Sequence, residues 1–290
     1  MHKWRDVIEA HILVITVLGG LVLGALAVTV GVSVGEQGPA AAVLSTPFTY
    51  HFSVADTLNE ASSMDRTTSP YWWLNSGGEL VLAGGKGKTM QGDAPSTNYW
   101  RNAYARSNAL DTDNGLHPQN LFRLVSRSTW ENVRVESSFY INKDNFSSSP
   151  NRNASNGLLL MSRYGEDGDT LYYAGIRVDG TAVLKKKYKG TYYTMAQKKV
   201  FPGTYGTSNK NLLPHKEWVA LRSDTKTSES GTVTVTLSMK RAGGSWQELL
   251  KATDTGKNFG GTAPIAGKGY VGIRTDFMDV EFDNFKIEKL

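Results

Sequence analysis

The sequence predicts an all-β protein, an antiparallel two-sheet sandwich preceded by one N-terminal transmembrane helix. Three observations lead there. Asn156 to Met195 breaks into strand-length apolar and aromatic runs (NGLLLMSRY, TLYYAGIRVDG, TAVLKKKYKG, TYYTM) divided by Gly/Asp punctuation, which is the pattern of successive antiparallel strands. Thr232 to Lys240 (TVTVTLSMK) alternates with period two, setting Val233, Val235, Leu237 and Met239 on one face. No segment after residue 45 keeps an apolar 3.6 period, so crossover helices are not expected.

Composition narrows the function classes. The 290-residue chain has no cysteine, which removes disulfides, thiolate chemistry and cysteine metal sites. Its 32 Lys and Arg against 27 Asp and Glu give a net charge of +5. That balance is too small and dispersed for a nucleic-acid footprint, but one local patch can still meet an anionic polymer. The sequons Asn145-Phe146-Ser147 and Asn153-Ala154-Ser155 matter only in a glycosylating host. The sequence sets no oligomeric state.

The N-terminus carries the address. From Ile12 to Val34 no residue is charged, and that run can cross ~30 Å of hydrocarbon at ~1.5 Å per residue. Lys3 and Arg5 precede it, and no Lys or Arg follows until Arg66. This asymmetry places the N-terminus in the cytoplasm and the rest outside the cell. The competing reading is a cleaved signal peptide with Ala40-Ala41-Ala42 as the processing site, although a signal core is usually shorter, at about 7–15 residues. The expected organisation is a cytoplasmic stub and anchor over 1–35, a linker over 36–46 and a β-sandwich ectodomain over 47–290.

Along the ectodomain, Phe48 to Phe52 opens the sheet. Leu58 to Thr68 reads as loop, and Pro70 to Asn75 gathers Tyr71, Trp72 and Trp73 in a loop-like context. A short strand covers Glu79 to Ala83. Gly84 to Asn98 reads as a Gly/Pro/Lys-rich surface loop, followed by Tyr99-Trp100-Arg101. Strands are expected over Leu121 to Arg127 and Asn132 to Ile141, then through the tyrosine-rich meander. Its hairpins turn at Gly165 to Asp169, Asp179-Gly180 and Lys189-Gly190, where glycine accepts positive φ. Trp218 to Arg222, Thr232 to Lys240, Trp246 to Lys251, Gly269 to Thr275 and Asp279 to Leu290 complete the set.

The closing stretch carries a resemblance. Gly269-Tyr-Val-Gly-Ile-Arg-Thr-Asp276, followed by Asp279-Val-Glu-Phe-Asp-Asn-Phe-Lys-Ile287, resembles the last strand pair of concanavalin A-like jelly rolls. That group includes laminin G-like, lectin-like and glycan-processing domains. The resemblance implies a jelly-roll sandwich and a glycan-related role, without a specific substrate.

Five constellations are candidates for chemistry. Trp72, Trp73, Trp100, Tyr172 and Tyr193 are candidate sugar-stacking residues, because flat C–H sugar faces pack on aromatic rings. Neighbours in a strand point opposite ways, so one of each tyrosine pair, Tyr172-Tyr173 and Tyr192-Tyr193, belongs to the core. Lys185 and Lys187, with Arg163 and Arg177, form a strip suited to carboxylated or sulfated polysaccharide; the alternative is an edge strand guarded by lysines. Tyr172-Tyr173-Ala174-Gly175-Ile176 resembles a strand of alginate-lyase-like enzymes, which implies Tyr173 and Arg177 as candidate catalytic residues. Here Tyr173 replaces the lysine of that pattern, and no Gln-Ile-His element is present. Asp279, Glu281 and Asp283 share a strand face, as in the acidic triplet of some β-glucanases of this fold, although that triplet has Glu at its ends. Asp111 and Asp113, in Asp111-Thr112-Asp113-Asn114-Gly115, offer alternating oxygens for Ca2+. The expected function is a membrane-anchored extracellular module that binds polysaccharide. A polysaccharide lyase or glycosidase on the same scaffold, and a structural surface protein with no sugar site, are the alternatives.

Overall fold

The computed structural model describes residues 37–290. The expected cytoplasmic stub and membrane span lie outside the described residues. Among those described, no helix is long and apolar enough to cross a membrane.

The chain runs β1 (Phe48–Tyr50), β2 (Asp56–Asn59), β3 (Trp72–Ser76), β4 (Glu79–Ala83), β5 (Lys86–Thr89), helix α1 (Tyr99–Ser107), β6 (Leu121–Trp130) and β7 (Val133–Asp144). The meander follows as β8 (Gly157–Tyr164), β9 (Leu171–Arg177), β10 (Thr181–Tyr188) and β11 (Thr191–Lys199). Then come β12 (Trp218–Thr227), β13 (Val233–Arg241), β14 (Gln247–Asp254), β15 (Gly269–Asp276) and β16 (Met278–Lys289). One sheet is ordered β14-β13-β12-β7-β16-β5-β4-β2, with β1 also paired to β16; the other is ordered β11-β10-β9-β8-β15-β6-β3. Every ladder is antiparallel. This is the two-sheet sandwich expected from the alternation.

The meander forms as its turn residues require. Lys189 and Gly190 both take positive φ, 47° and 82°, the geometry of a two-residue hairpin whose twist matches its strands. Alternation then sorts the side chains. Leu158, Leu160, Tyr172, Ala174, Ile176 and Leu184 enter the core between the sheets, against Val135, Phe139, Leu221, Val235, Leu237 and Phe282. Their neighbours Leu159, Met161, Tyr173 and Val183 form a second apolar cluster with Trp73, Val125 and Met64, on the outer face of the seven-stranded sheet.

Three local expectations need correction. Tyr99-Trp100-Arg101 begins a helix rather than a loop, because Asn98 Oδ1 accepts from the Trp100 and Arg101 amides at 2.8 and 3.1 Å and so caps it. The helix buries only Tyr104, which is why no apolar period announced it. Trp72 and Trp73 stand on a strand with a buried residue on each face, not in a loop. Lys86 to Thr89 pairs with β4 and β16; Gly87 fits there because a Cβ would lie 2.3 Å from Phe282 Cε2.

The segment expected as a linker lies along the sandwich. Gly38 N donates to Asp65 O and Ala42 N to Pro70 O, each at 2.8 Å. A Cβ on Gly38 would fall 1.9 Å from Thr67 O, so this contact requires glycine.

Candidate functional site

The outer face of the seven-stranded sheet gathers cations and phenols around an apolar floor. Val183, Gly175, Leu159, Arg274 and Arg123 follow one another in register across β10, β9, β8, β15 and β6. The adjacent row sets Lys185 opposite Tyr173, and across the hairpin Lys187 faces Tyr192. Tyr173 and Tyr192 stack with centroids 6.2 Å apart and planes 20° from parallel. The Lys185 and Lys187 ammonium groups lie 5.7 and 5.3 Å from the Tyr192 centroid, and the Arg274 guanidinium lies 5.6 Å from that of Tyr173.

Arg274 joins these parts. It donates to the Tyr173 hydroxyl at 3.2 Å and through Nε to Asp276 Oδ1 at 2.7 Å. Burial opposes its charge, but Asp276 and the two tyrosines more than offset this and raise its pKa. Arg123 is its direct cross-strand neighbour, and Asp276 lies within reach to answer the like charges this pairing brings together. Lys187 is tied to Asp169 Oδ1 and Gly168 O, both at 2.9 Å, and Arg177 is paired with Asp179. Lys185 makes no ion pair among the described residues. Partial burial, then Arg177, pulls its pKa down.

The two phenols differ. Burial raises the pKa of Tyr173, with Arg274 acting against it. Burial also acts to raise that of Tyr192, but Arg274 and Lys187 overcome it and the net shift is downward. Tyr192 is 47 % exposed, so its side chain reaches the surface.

The sandwich closed by the β15–β16 pair is the one its closing sequence implies. The fold is an antiparallel two-sheet sandwich. No protein-family model matches the chain, and no curated protein matches it. Among solved structures it is similar to the carbohydrate-binding module CBM66 from Bacillus subtilis, at 13 % identity and TM-score 0.41, over 59 % of this chain and 83 % of that one. It is also similar to the PL-14 alginate lyase from Aplysia kurodai, at 12 % identity and TM-score 0.41, over 81 % and 99 %. A Bacillus licheniformis beta-glucanase matches at 12 % identity and TM-score 0.41, over 84 % and 98 %. These likenesses assign this chain no ligand and no reaction.

The sandwich brings together Tyr173, Arg177, Lys185 and Lys187 of the expected residues and separates the others. Tyr172 is fully buried and points inward; its hydroxyl donates to Asp254 Oδ2 at 2.7 Å. Burial, reinforced by that bond, raises its pKa. Tyr193 also points inward, packed so closely on Gly260 that a Cβ there would lie 2.1 Å from its ring. The outward member of each tyrosine pair is therefore Tyr173 and Tyr192. Trp72 is buried at 2 % exposure among Tyr50, Phe52 and Phe285. Trp73 is buried and donates to Ala61 O at 2.8 Å. Arg163 is likewise buried, with Nη1 bonded to Ala266 O. Trp100, half-buried on α1, donates to Asn59 Oδ1 at 2.9 Å, away from the meander.

The acidic triplet belongs to β16 of the other sheet, so it does not join Tyr173 and Arg177. Met278, Val280 and Phe282 enter the core, which leaves Asp279, Glu281 and Asp283 on the opposite side of the strand. Asp279 is sealed at 3 % exposure under Gly92 N, Gln119 Nε2 and Asn145 Nδ2, at 2.7, 2.9 and 2.8 Å. Glu281 pairs with Lys86 and Lys88 at 3.0 and 3.5 Å, and Asp283 accepts from Asn284. An acid and a nucleophile flanking one glycosidic bond are not formed by these three.

The Ca2+ expectation does not fit its residues. Asp111 accepts from Asn108, Ser149 and Asn151, while Asp113 faces His117 Nδ1 at 2.9 Å. The two carboxylates serve separate protein partners instead of one cation, and no cluster of three acidic or histidine ligands occurs among the described residues. His117 also meets Asp93 at 2.9 Å. His215 meets Asp144 at 3.0 Å, a contact that raises its pKa. These partners are far away in sequence and gave no local signal.

Sequence reasoning missed Arg123 and Arg274, and from the Tyr192-Tyr193 pair it singled out Tyr193. A signal for Tyr192 existed: a two-residue turn at Lys189-Gly190 places it directly opposite Lys187.

Proposed function

We propose that the protein binds acidic polysaccharide across β9, β10 and β15, held outside the cell by the Ile12–Val34 span. The observation that carries the reading is Lys185, without an ion-pair partner among the described residues, beside Arg274 and the Tyr173–Tyr192 stack. A carboxylate or sulfate meets the cations, and a sugar ring meets the phenol faces. Lys185→Ala with Lys187→Ala is expected to weaken retention on an immobilised polyuronate by about tenfold or more with little change in melting temperature. Unchanged retention rejects the basic strip as the site.

Elimination chemistry is the second reading, and the two ammonium groups at the Tyr192 ring, beside Arg274, favour it. A Tyr192 phenolate would take the proton beside the uronate carboxyl while Arg274 and Lys185 hold the carboxylate charge. The Tyr192 phenol so formed would pass that proton to the leaving sugar's oxygen as the C–O bond breaks, leaving a C=C bond that absorbs in the ultraviolet. Polyuronate retained without such absorbance removes the lyase and leaves the binding module.

The tether has its own test. High-salt washing of membranes without detergent is expected to leave the full-length chain in the pellet. A soluble product beginning near Val43 shows cleavage instead.

A further inference from the structure

The outer face of the nine-stranded sheet carries a second aromatic assembly, independent of the tyrosine–lysine site. Trp218, Tyr140, Glu281 and Lys88 stand in one register row across β12, β7, β16 and β5. The Trp218 and Tyr140 rings lie 5.4 Å apart at 45°, both half-buried. The next row along the strands is small: Ala220 opposite Ser138, with Lys240 and Asp283 at its ends. The row after that rises again through Arg222 opposite Glu136, and the Trp246 ring covers the Arg222 guanidinium at 4.0 Å. Trp218 and Arg222 are four residues apart on one strand, about 13 Å at ~3.3 Å per residue. The face is therefore a trough with an Ala–Ser floor, Trp218 and Tyr140 on one bank and Trp246 on the other.

Carboxylates lie within the trough's own rows. Arg222 is paired with Glu136 at 2.8 Å, and Lys86 and Lys88 share Glu281. Lys216 donates to Asn142 Oδ1 at 3.1 Å, Lys240 lies over Trp246 at 5.1 Å, and the floor itself is uncharged. Carboxylates answer Arg222, Lys86 and Lys88, while Lys216 and Lys240 lie over the Tyr140 and Trp246 rings and Lys86 over that of Trp218. Half-exposed rings over a small Ala–Ser floor suit a ligand that offers C–H faces and hydroxyls. We propose that this trough binds an uncharged polysaccharide segment, with Trp218 and Trp246 as its stacking rings. Asn142, which donates to Gln91 Oε1 at 2.9 Å and Glu281 Oε1 at 3.2 Å, borders it with side-chain amides that suit sugar hydroxyls.

The test titrates the full-length chain with cellohexaose, xylohexaose and mannohexaose, and with a polyuronate oligomer as the charged control, followed by tryptophan fluorescence and calorimetry. At least one neutral hexasaccharide is expected to bind. That binding should persist in Lys185→Ala/Lys187→Ala, and weaken by about tenfold in Trp218→Ala, from loss of one stacking contact. Ala220→Arg, which fills the floor and leaves both banks intact, should weaken it similarly and keeps the proposal testable if Trp218→Ala fails to fold. Binding of the polyuronate alone, or neutral binding indifferent to both Trp218→Ala and Ala220→Arg, overturns the proposal. Loss of polyuronate binding in the lysine variant alone concerns the first site and leaves this one standing.

Discussion

Lys186→Ala is expected to destabilise the sandwich by about 3–5 kcal/mol, read as an earlier midpoint in urea denaturation followed by tryptophan fluorescence. Lys186 lies between the two strip lysines but points the other way, and its side chain is fully buried. Its ammonium sits 2.7 Å from Asp254 Oδ2 and donates to the Thr262 and Ala263 carbonyls at 2.8 Å. The same carboxylate accepts from Tyr172 at 2.7 Å, and the Tyr172 oxygen accepts from Ile265 N at 3.0 Å. Removing the ammonium strands a charged carboxylate in the core, whereas replacing both partners with apolar residues of similar volume should cost far less. Lys186→Met combined with Asp254→Leu is the control: if it is as unstable as Lys186→Ala, the loss comes from packing, and the buried ion pair is not its source.

Arg274→Ala is expected to weaken polyuronate binding by about 10- to 100-fold, equivalent to ~1.5–3 kcal/mol for hydrogen bonds to a charged group. The measurement is calorimetric titration at two salt concentrations, because screening should shrink the difference. The variant also leaves Asp276, 1 % exposed, without its cation. Arg274→Ala with Asp276→Asn separates the two effects, since it removes the stranded charge but not the loss of a ligand contact. Arg274→Lys should fall between, because an ammonium cannot hold Asp276, the Tyr173 hydroxyl and an anion in one plane as guanidinium does. Binding unchanged in Arg274→Ala/Asp276→Asn would move the site away from β15.

Legibility in the sequence followed alternation. The strand from Val233 to Arg241 could be read because its apolar residues face one core and its Thr and Ser face water. The meander could be read because its turns carry glycine. The second apolar cluster could not, because Trp73, Met161 and Tyr173 are buried on what alternation alone marks as an outer face. Of the candidate site, Lys185, Lys187 and Tyr173 were within reach, since they lie close together in the chain. Arg274 and Arg123 were not, because they meet only once β15 has inserted between β6 and β8. Tyr172 misled because an aromatic beside another aromatic in a strand says that one faces inward, not which one; Trp72 misled because both it and Trp73 are buried, one on each face of the sheet.

The placement of β15 and β16 has a consequence for biosynthesis. β15 fills the gap between β6 and β8, and β16 fills the gap between β7 and β5. Until residues 269–290 have been made, each half-built layer presents two bare flanks of unsatisfied amides and carbonyls, the kind that recruit foreign strands. Chains that lack residues 269–290 therefore stay adhesive, and long-range closure of this sort is slow. Cells making this protein have reason to keep a holding chaperone on it until the last hairpin arrives.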